Sequence, residues 1–159
     1  MGATGITETV QYLTFKLDEE VFALDVAKVR EILEYTGITK VPQTPDFMRG
    51  VINLRGSVVP VIDLRLKFGM SATVQTVNTC IIVVEVGQED ETLVLGLLAD
   101  SVQEVIEMEP EQIEAAPHIG TRLNTDFIKG MGKHDNRFVM ILDIDKVFTG
   151  GDLSSLSIE

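Results

Sequence analysis

The apolar positions of this chain fall into short runs that are typical of β-strands. Four such runs are rich in aromatic and β-branched residues and are short enough for strands. They span residues 12–17, 58–64, 80–86 and 138–144. Many short strands with turns between them are typical of barrels or sandwiches, so the pattern predicts an all-β fold. One segment is open to two interpretations, because Val26, Val29 and Leu33 also fit one face of a helix.

The chain contains an internal repeat. Three blocks recur: residues 22–34 at 95–107 (an offset of 73), residues 47–50 at 127–130 and residues 59–63 at 139–143 (an offset of 80). Two copies of one all-β unit predict a pair of small barrels. A copy of about 70 residues can bury only a modest core, so we expect the two to pack on each other. The seam between them is a candidate binding groove.

The length of 159 residues fits one ordinary domain. We expect a single domain over residues 10–149, made of two intertwined halves at roughly 15–75 and 76–149. Residues 1–9 and 150–159 are expected to be flexible tails.

The charge balance argues against several classes of partner. Thirteen Lys and Arg against 25 Asp and Glu give a formal net charge of −12, and residues 68–121 contain no Lys or Arg. Such acidity disfavours general binding to nucleic acid phosphates and docking on anionic membranes. The single cysteine, Cys80, excludes an internal disulfide, and no signal peptide or long apolar segment is visible. These features predict a cytoplasmic protein.

Signals for catalysis or cofactor binding are weak. His118 and His134 lack metal-ligand spacing to each other, and Cys80 heads an apolar strand, where a free cysteine is usually a small buried hydrophobe. No phosphate-binding loop or nucleophile elbow is present. A carboxylate-based hydrolase using Asp63, Asp143 or Asp145 stays as an alternative, although no base, nucleophile or pocket accompanies these acids. The sequence predicts no catalytic residue, cofactor or metal site.

The segment 47–66 is the most distinctive part of the chain. Arg49 and Arg55 each precede a glycine, and Asn53 stands two residues before Arg55. Arginine presents a rigid fork of donors that suits a protein contact surface. A hairpin turn with a solvated arginine explains the same residues, and the pattern alone does not decide between the two interpretations.

At this segment the sequence resembles the CheW family of chemotaxis coupling proteins. The resemblance extends from about residue 11 to about residue 148. Its motifs are V-x-E-I-L at 29–33, V-P at 41–42, F-x-R-G-V-I-N-L-R-G at 47–56, V-P-V-I-D-L-R at 59–65, G-L-L-A-D-x-V at 96–102 and I-L-D-I-D-K-V-F at 141–148. The N-L-R-G block followed by P-V-I-D-L-R is highly specific for this family.

The resemblance implies two five-stranded β-barrel subdomains on a shared hydrophobic core, related by internal duplication, with no catalysis. It implies a scaffold that couples the cytoplasmic tips of methyl-accepting chemoreceptors to the regulatory domain of the histidine kinase CheA. Such a protein is recruited to membrane-associated receptor arrays without inserting into the membrane. A CheW-like scaffold of a non-flagellar chemosensory pathway stays open as an alternative.

The resemblance also implies receptor-binding residues. Arg55 of the N-L-R-G turn is expected to contact the receptor tip. The other positions lie near that surface or face the groove between the barrels: Val29, Glu31, Arg49, Gly50, Asn53, Cys80, Val105 and Gly130. Val29 would be an apolar anchor, while Arg55 and Glu31 would supply specificity at the rim. No kinase-binding residue is assigned.

Overall fold

Eleven β-strands make up most of the part of the chain that the computed structural model describes, namely residues 6–88, 91–115 and 127–148. The strands are β1 (Val10–Leu17), β2 (Glu20–Asp25), β3 (Val29–Glu34), β4 (Met48–Leu54), β5 (Ser57–Asp63), β6 (Cys80–Gln88), β7 (Glu91–Ala99), β8 (Ser101–Met108), β9 (Ile113–Glu114), β10 (Ile128–His134) and β11 (Arg137–Leu142). The helical elements are α1 (Leu64–Lys67), α2 (Ile144–Val147) and two 3-10 turns, Val26–Lys28 and Pro110–Gln112. The all-β prediction is confirmed.

The ambiguous segment contains both kinds of structure. The 3-10 turn Val26–Lys28 leads directly into β3, and Asp25 caps it by accepting a hydrogen bond from the amide of Ala27 at 2.9 Å. The pairing of β3 with β6 shifts register between Val29 and Glu31. A bulge of this kind interrupts the alternation of faces along a strand, so the apolar positions do not follow a strict period of two.

The strands form two sheets that do not follow the division of the sequence into halves. One sheet has the order β8-β1-β2-β11-β10-β9, and the other has the order β3-β6-β7-β5-β4. Each sheet therefore combines the first two strands of one copy of the repeat with three later strands of the other copy, and the six-stranded sheet also contains the short β9. The pairing order does not by itself close either sheet into a barrel.

The repeat extends to the register of the strands. In each sheet a parallel pair joins the copies, and Val61 faces Gly96 in one sheet as Ile141 faces Ala23 in the other. Both hairpins have a register shift at a corresponding position, before Gly50 and before Gly130. The duplication inferred from the sequence is thus confirmed by the pairings, and the short β9 is an addition to the second copy.

Both faces of each sheet contribute side chains to buried clusters. A central cluster receives side chains from the two sheets, and each sheet has a further cluster on its other face. Residues 81–84 show the arrangement, because Ile82 and Val84 enter the central cluster while Ile81 and Val83 enter the second cluster of their own sheet. A strand buried on both sides reads as a continuous apolar run, which explains the Ile-Ile-Val-Val sequence.

Aromatic rings tie the central cluster together. Phe22 stacks between Phe15 and Phe68, with ring centroids 6.0 Å and 5.7 Å away, and Phe68 stacks on Phe127 at 4.7 Å. Phe127 belongs to the second copy of the repeat and the other three rings to the first. Residues 1–5 and 150–159 of the expected tails lie outside the described residues, while Ile6 packs against the second cluster of the six-stranded sheet.

The shared core predicts that the two sheets unfold together. Leu97 is fully buried in β7 and belongs to the central cluster. Leu97→Ala is expected to lower the free energy of unfolding by about 3 kcal/mol, through lost burial and a residual cavity. Urea denaturation would measure this loss. Hydrogen exchange should show slow amides of both sheets losing similar protection, since two-state unfolding exposes them in one event.

The matched control is Val77→Ala, because Val77 is fully exposed. This change is expected to alter the free energy of unfolding by less than about 0.5 kcal/mol. Unchanged protection of the six-stranded sheet in Leu97→Ala would contradict a single cooperative core.

Candidate functional site

The turn between β4 and β5 displays Arg55 at the end of the five-stranded sheet. Arg55 and Gly56 are the two central residues of the hairpin loop, with φ of 49° and 90°. Positive φ at both positions is typical of a type I′ turn, which matches the twist of the flanking strands. The side-chain oxygen of Asn53 accepts a hydrogen bond from the amide of Gly56 at 2.7 Å and so supports the turn. The Arg55 side chain is 71% exposed.

Glu31 on β3 binds the guanidinium of Arg55. Nη1 of Arg55 donates to Oε1 of Glu31 at 3.3 Å, and Nη2 donates to Oε2. The strand β3 is one edge of the five-stranded sheet, and the β4–β5 hairpin contains the other edge. The ion pair therefore joins the first and last strands of a curled sheet and holds Arg55 in a defined orientation at its end.

The pair also changes the acidity of both groups. The hydrogen bond from Arg55 is the main cause that holds the pKa of Glu31 below its ordinary value, and the charges of Arg55 and Arg30 act in the same direction. The pKa of Arg55 is raised by the same hydrogen bond. Both side chains are in contact with solvent, so the arrangement is a charged surface feature rather than a buried ion pair.

Arg49 occupies a different environment from Arg55. Its Nη1 donates to Oδ2 of Asp63 at 2.9 Å and to the carbonyl of Thr73 at 3.2 Å. Asp63 is fully buried and also accepts hydrogen bonds from the amides of Arg65 and Thr73 and from the hydroxyl of Thr73. Arg49 thus neutralises a buried carboxylate that anchors α1 and the loop after it. About a third of its side chain is left exposed.

Gly50 and Cys80 have structural reasons for their positions. Gly50 has φ of 146°, and a Cβ atom there would lie 2.2 Å from the carbonyl oxygen of Thr39. Thr39 and Val51 exchange backbone hydrogen bonds of 2.9 Å and 2.8 Å, so glycine is required for this close approach. Cys80 begins β6 between Glu34 and Ala99, and its thiol donates to the carbonyl of Asn78 at 3.2 Å.

The nine predicted binding residues do not form one patch. Glu31, Asn53 and Arg55 meet at the end of the β4–β5 hairpin, whereas Val29 is partly buried and packs against the central cluster. Val105 and Gly130 lie in the six-stranded sheet, Val105 being 54% exposed on β8 and Gly130 buried on β10. A contact role for these nine residues stays a prediction.

An open groove of about 610 Å³ follows the loop between β3 and β4. Its lining consists of residues 40–46, Met48 and Arg49. All of these residues come from one continuous segment, so this groove is distinct from the seam expected between the two copies. Its composition is mixed, with Pro42, Pro45 and Met48 beside Lys40 and Asp46.

A cluster of three ionisable side chains was not anticipated from the sequence. His134 ends β10, and its Nε2 lies 3.7 Å from Oε2 of Glu104 on β8 and 3.4 Å from Oδ2 of Asp135. These three residues are separated by up to 31 positions, so spacing along the chain gives no hint of them. His118 lies outside the described residues.

Two of the carboxylates considered for hydrolysis, those of Asp63 and Asp145, have structural partners instead. Asp63 is the buried anchor described above. Asp145 accepts hydrogen bonds from Nζ of Lys28 at 2.9 Å and from the amide of Gly87 at 2.8 Å. Asp143 is at the start of α2, where its amide donates to the carbonyl of Phe127 at 2.8 Å.

Comparison with known proteins decides the family. The CheW-like domain family matches residues 11–151. The chain belongs to the CheW-like domain family. The chemotaxis protein CheW of Klebsiella aerogenes is 37% identical over 150 residues, which cover 94% of this chain and 88% of that protein. CheW of Helicobacter pylori is 34% identical over 140 residues, covering 88% and 82%.

The fold of this CheW-like chain also matches a solved relative. The structure of the scaffolding protein TtCheW from Thermoanaerobacter tengcongensis superposes with a TM-score of 0.80 at 34% identity, covering 93% of each chain. CheW-like proteins are scaffolds rather than enzymes, which confirms the non-catalytic prediction and removes the hydrolase alternative. Among the described residues no helix has the length and apolar character needed to cross a membrane.

The geometry predicts that Arg49 matters for stability. Arg49→Ala leaves the buried Asp63 carboxylate without this cation and is expected to cost about 3 kcal/mol of unfolding free energy. Arg30→Ala is the matched control, because the Arg30–Glu85 pair is exposed and 3.5 Å apart. The control is expected to cost less than about 1 kcal/mol. Equal losses in urea denaturation would contradict the anchoring role of Arg49.

The ion pair predicts a measurable titration. In the folded protein the pKa of Glu31 should lie below the ordinary glutamate value, because Arg55 stabilises the carboxylate. A lowered pKa contributes stability above the unfolded-state value, and this contribution is lost as pH falls through the folded-state value. Arg55→Gln should raise the Glu31 pKa, and Arg30→Gln should raise it less, as read from carboxyl chemical shifts. The reverse order of the two variants would contradict the assignment.

Proposed function

We propose that this protein is a chemotaxis scaffold that couples chemoreceptor cytoplasmic tips to the histidine kinase CheA. The observation that carries the proposal is Arg55, exposed on a left-handed turn and oriented by Glu31 within the N-L-R-G motif. The family and the names of its relatives support a chemotaxis scaffold. The proposal extends this role to binding of the receptor and the kinase and to recruitment to membrane-associated arrays.

Arg55 is suited to recognition because its guanidinium is already positioned. Holding a long flexible side chain in one orientation reduces the conformational entropy lost on binding. The bidentate contact with Glu31 leaves donors of the guanidinium facing outward, where they can meet carbonyl or carboxylate oxygens of a helical hairpin. Val58, two residues beyond Gly56, is 59% exposed and offers apolar contact on the same hairpin.

The non-catalytic mechanism follows from having two partners on one rigid body. When a receptor and a kinase bind separate surfaces, each raises the effective concentration of the other. The shared core supports this role, because it holds the two sheets as one unit. Any change of kinase activity with receptor state is then a coupling free energy between the two binding surfaces.

The test is a reconstituted kinase assay. Purified CheA and receptor cytoplasmic fragments from the same organism are incubated with the protein, and autophosphorylation is measured. Receptor-dependent stimulation is expected with the native chain and is expected to fall at least tenfold with Arg55→Glu. Arg30→Glu is the control of equal charge change, since Arg30 faces Glu85 instead of the hairpin turn. Both variants should retain the native unfolding midpoint to within a few degrees.

A double variant separates recognition from local structure. Glu31→Arg with Arg55→Glu restores an ion pair but removes the arginine from the turn. It should remain as defective as Arg55→Glu alone if Arg55 contacts a partner. Recovery would show that the ion pair acts only structurally. A native chain that leaves the kinase unstimulated, while another coupling protein stimulates it, would overturn the pathway assignment and favour a non-flagellar system.

A further inference from the structure

The β4–β5 hairpin of the first copy and the β10–β11 hairpin of the second copy carry residues of opposite charge at one equivalent turn position. The offset of 73 places Glu104 where Glu31 stands, and the offset of 80 places Asp135 where Arg55 stands. The backbone is the same in both, since Asp135 and Asn136 have φ of 51° and 63°, as Arg55 and Gly56 also have positive φ. The first copy therefore supplies a built-in cation to its glutamate, and the second copy supplies another carboxylate.

At the hairpin turn of the second copy, the imidazole of His134 lies beside the carboxylates of Glu104 and Asp135. Nε2 of His134 lies 3.7 Å from Glu104 and 3.4 Å from Asp135, and one ligand atom from each residue falls within 4.8 Å of the others. Ligand atoms about 2.0–2.2 Å from a tetrahedral Zn²⁺ are separated by roughly 3.4 Å. The two distances from Nε2 of His134 are close to this value, and the Glu104 and Asp135 oxygens lie within 4.8 Å of each other. Rotation of the exposed carboxylates would bring all three atoms to this spacing.

The hydroxyl of Thr14 fixes the backbone of Glu104. The hydroxyl of Thr14 donates to the carbonyl of Glu104 at 2.7 Å and accepts from its amide at 3.1 Å. Arg137 faces His134 across the hairpin, but its guanidinium donates to the carbonyl of Glu19. The Arg137 side chain is thus directed to an acceptor outside the cluster.

We propose that Glu104, His134 and Asp135 form a binding site for a divalent transition-metal ion, with Zn²⁺ as the best fit. One imidazole with two carboxylates is a donor set that zinc accepts, and solvent supplies the fourth ligand. The metal takes the place that the Arg55 guanidinium has in the first copy. Glu104 and Asp135 are 60% and 83% exposed, so the site is reached directly from solution and binds more weakly than an enclosed structural site.

The test is titration of the full chain with ZnCl2 in a metal-free, non-coordinating buffer at physiological salt, followed by calorimetry. One saturable site per chain is expected. His134→Ala should weaken it at least tenfold, in line with the loss on disturbing a metal site. Cys80→Ser is the control and should leave the affinity unchanged. Mg²⁺ should compete poorly, because the imidazole favours zinc.

A variant that places an arginine in the turn of the second copy gives an independent test. Asp135→Arg reproduces the arginine of the first copy on a turn that already has the same backbone conformation. It is expected to abolish zinc binding while preserving the fold, as judged by the unfolding midpoint. Absence of a saturable site in the native chain, or an affinity unchanged in both His134→Ala and Asp135→Arg, would overturn the proposal.

Discussion

Burial on both faces of each sheet is the constraint on which the rest of the structure depends. The central cluster takes side chains from both sheets, and each sheet has a second cluster on its other face. A sheet can bury its second face against itself only by curling, and the right-handed twist of strands favours such curvature. Curling brings the edge strand β3 to the β4–β5 hairpin, which is why Glu31 and Arg55 meet.

Arg49 and Arg55, the two arginines of segment 47–66, have different roles because they stand at opposite ends of β4. Arg49 stands at the beginning of β4, where the buried carboxylate of Asp63 needs a cation, and Arg55 stands at the far end of the strand. One strand thus stabilises the fold at one end and presents a charged group at the other. A buried charge needs hydrogen-bonded partners, whereas an exposed one is free to take part in recognition.

Much of the fold was visible in the sequence because local pattern and long-range structure agree. The run at residues 80–86 corresponds to β6. The offsets of the repeat agree with the matching registers of the two parallel strand pairs. Residues 26–33 stayed ambiguous because the bulge after Val29 breaks the alternation. The function of Arg49 was hidden for another reason. Its partners at Asp63 and Thr73 meet it only through tertiary structure. The cluster at His134 was hidden for the same reason, since Glu104 meets His134 and Asp135 only through tertiary structure.

Each sheet is built from strands of both copies of the repeat. A single copy of the repeat cannot complete either sheet, but two separate copies would supply every strand of both except the short β9. The fold is therefore equivalent to a domain-swapped homodimer whose subunits have been fused. Fusion makes the association independent of concentration. It also allows the two halves to carry different residues at equivalent positions, as Arg55 and Asp135 do.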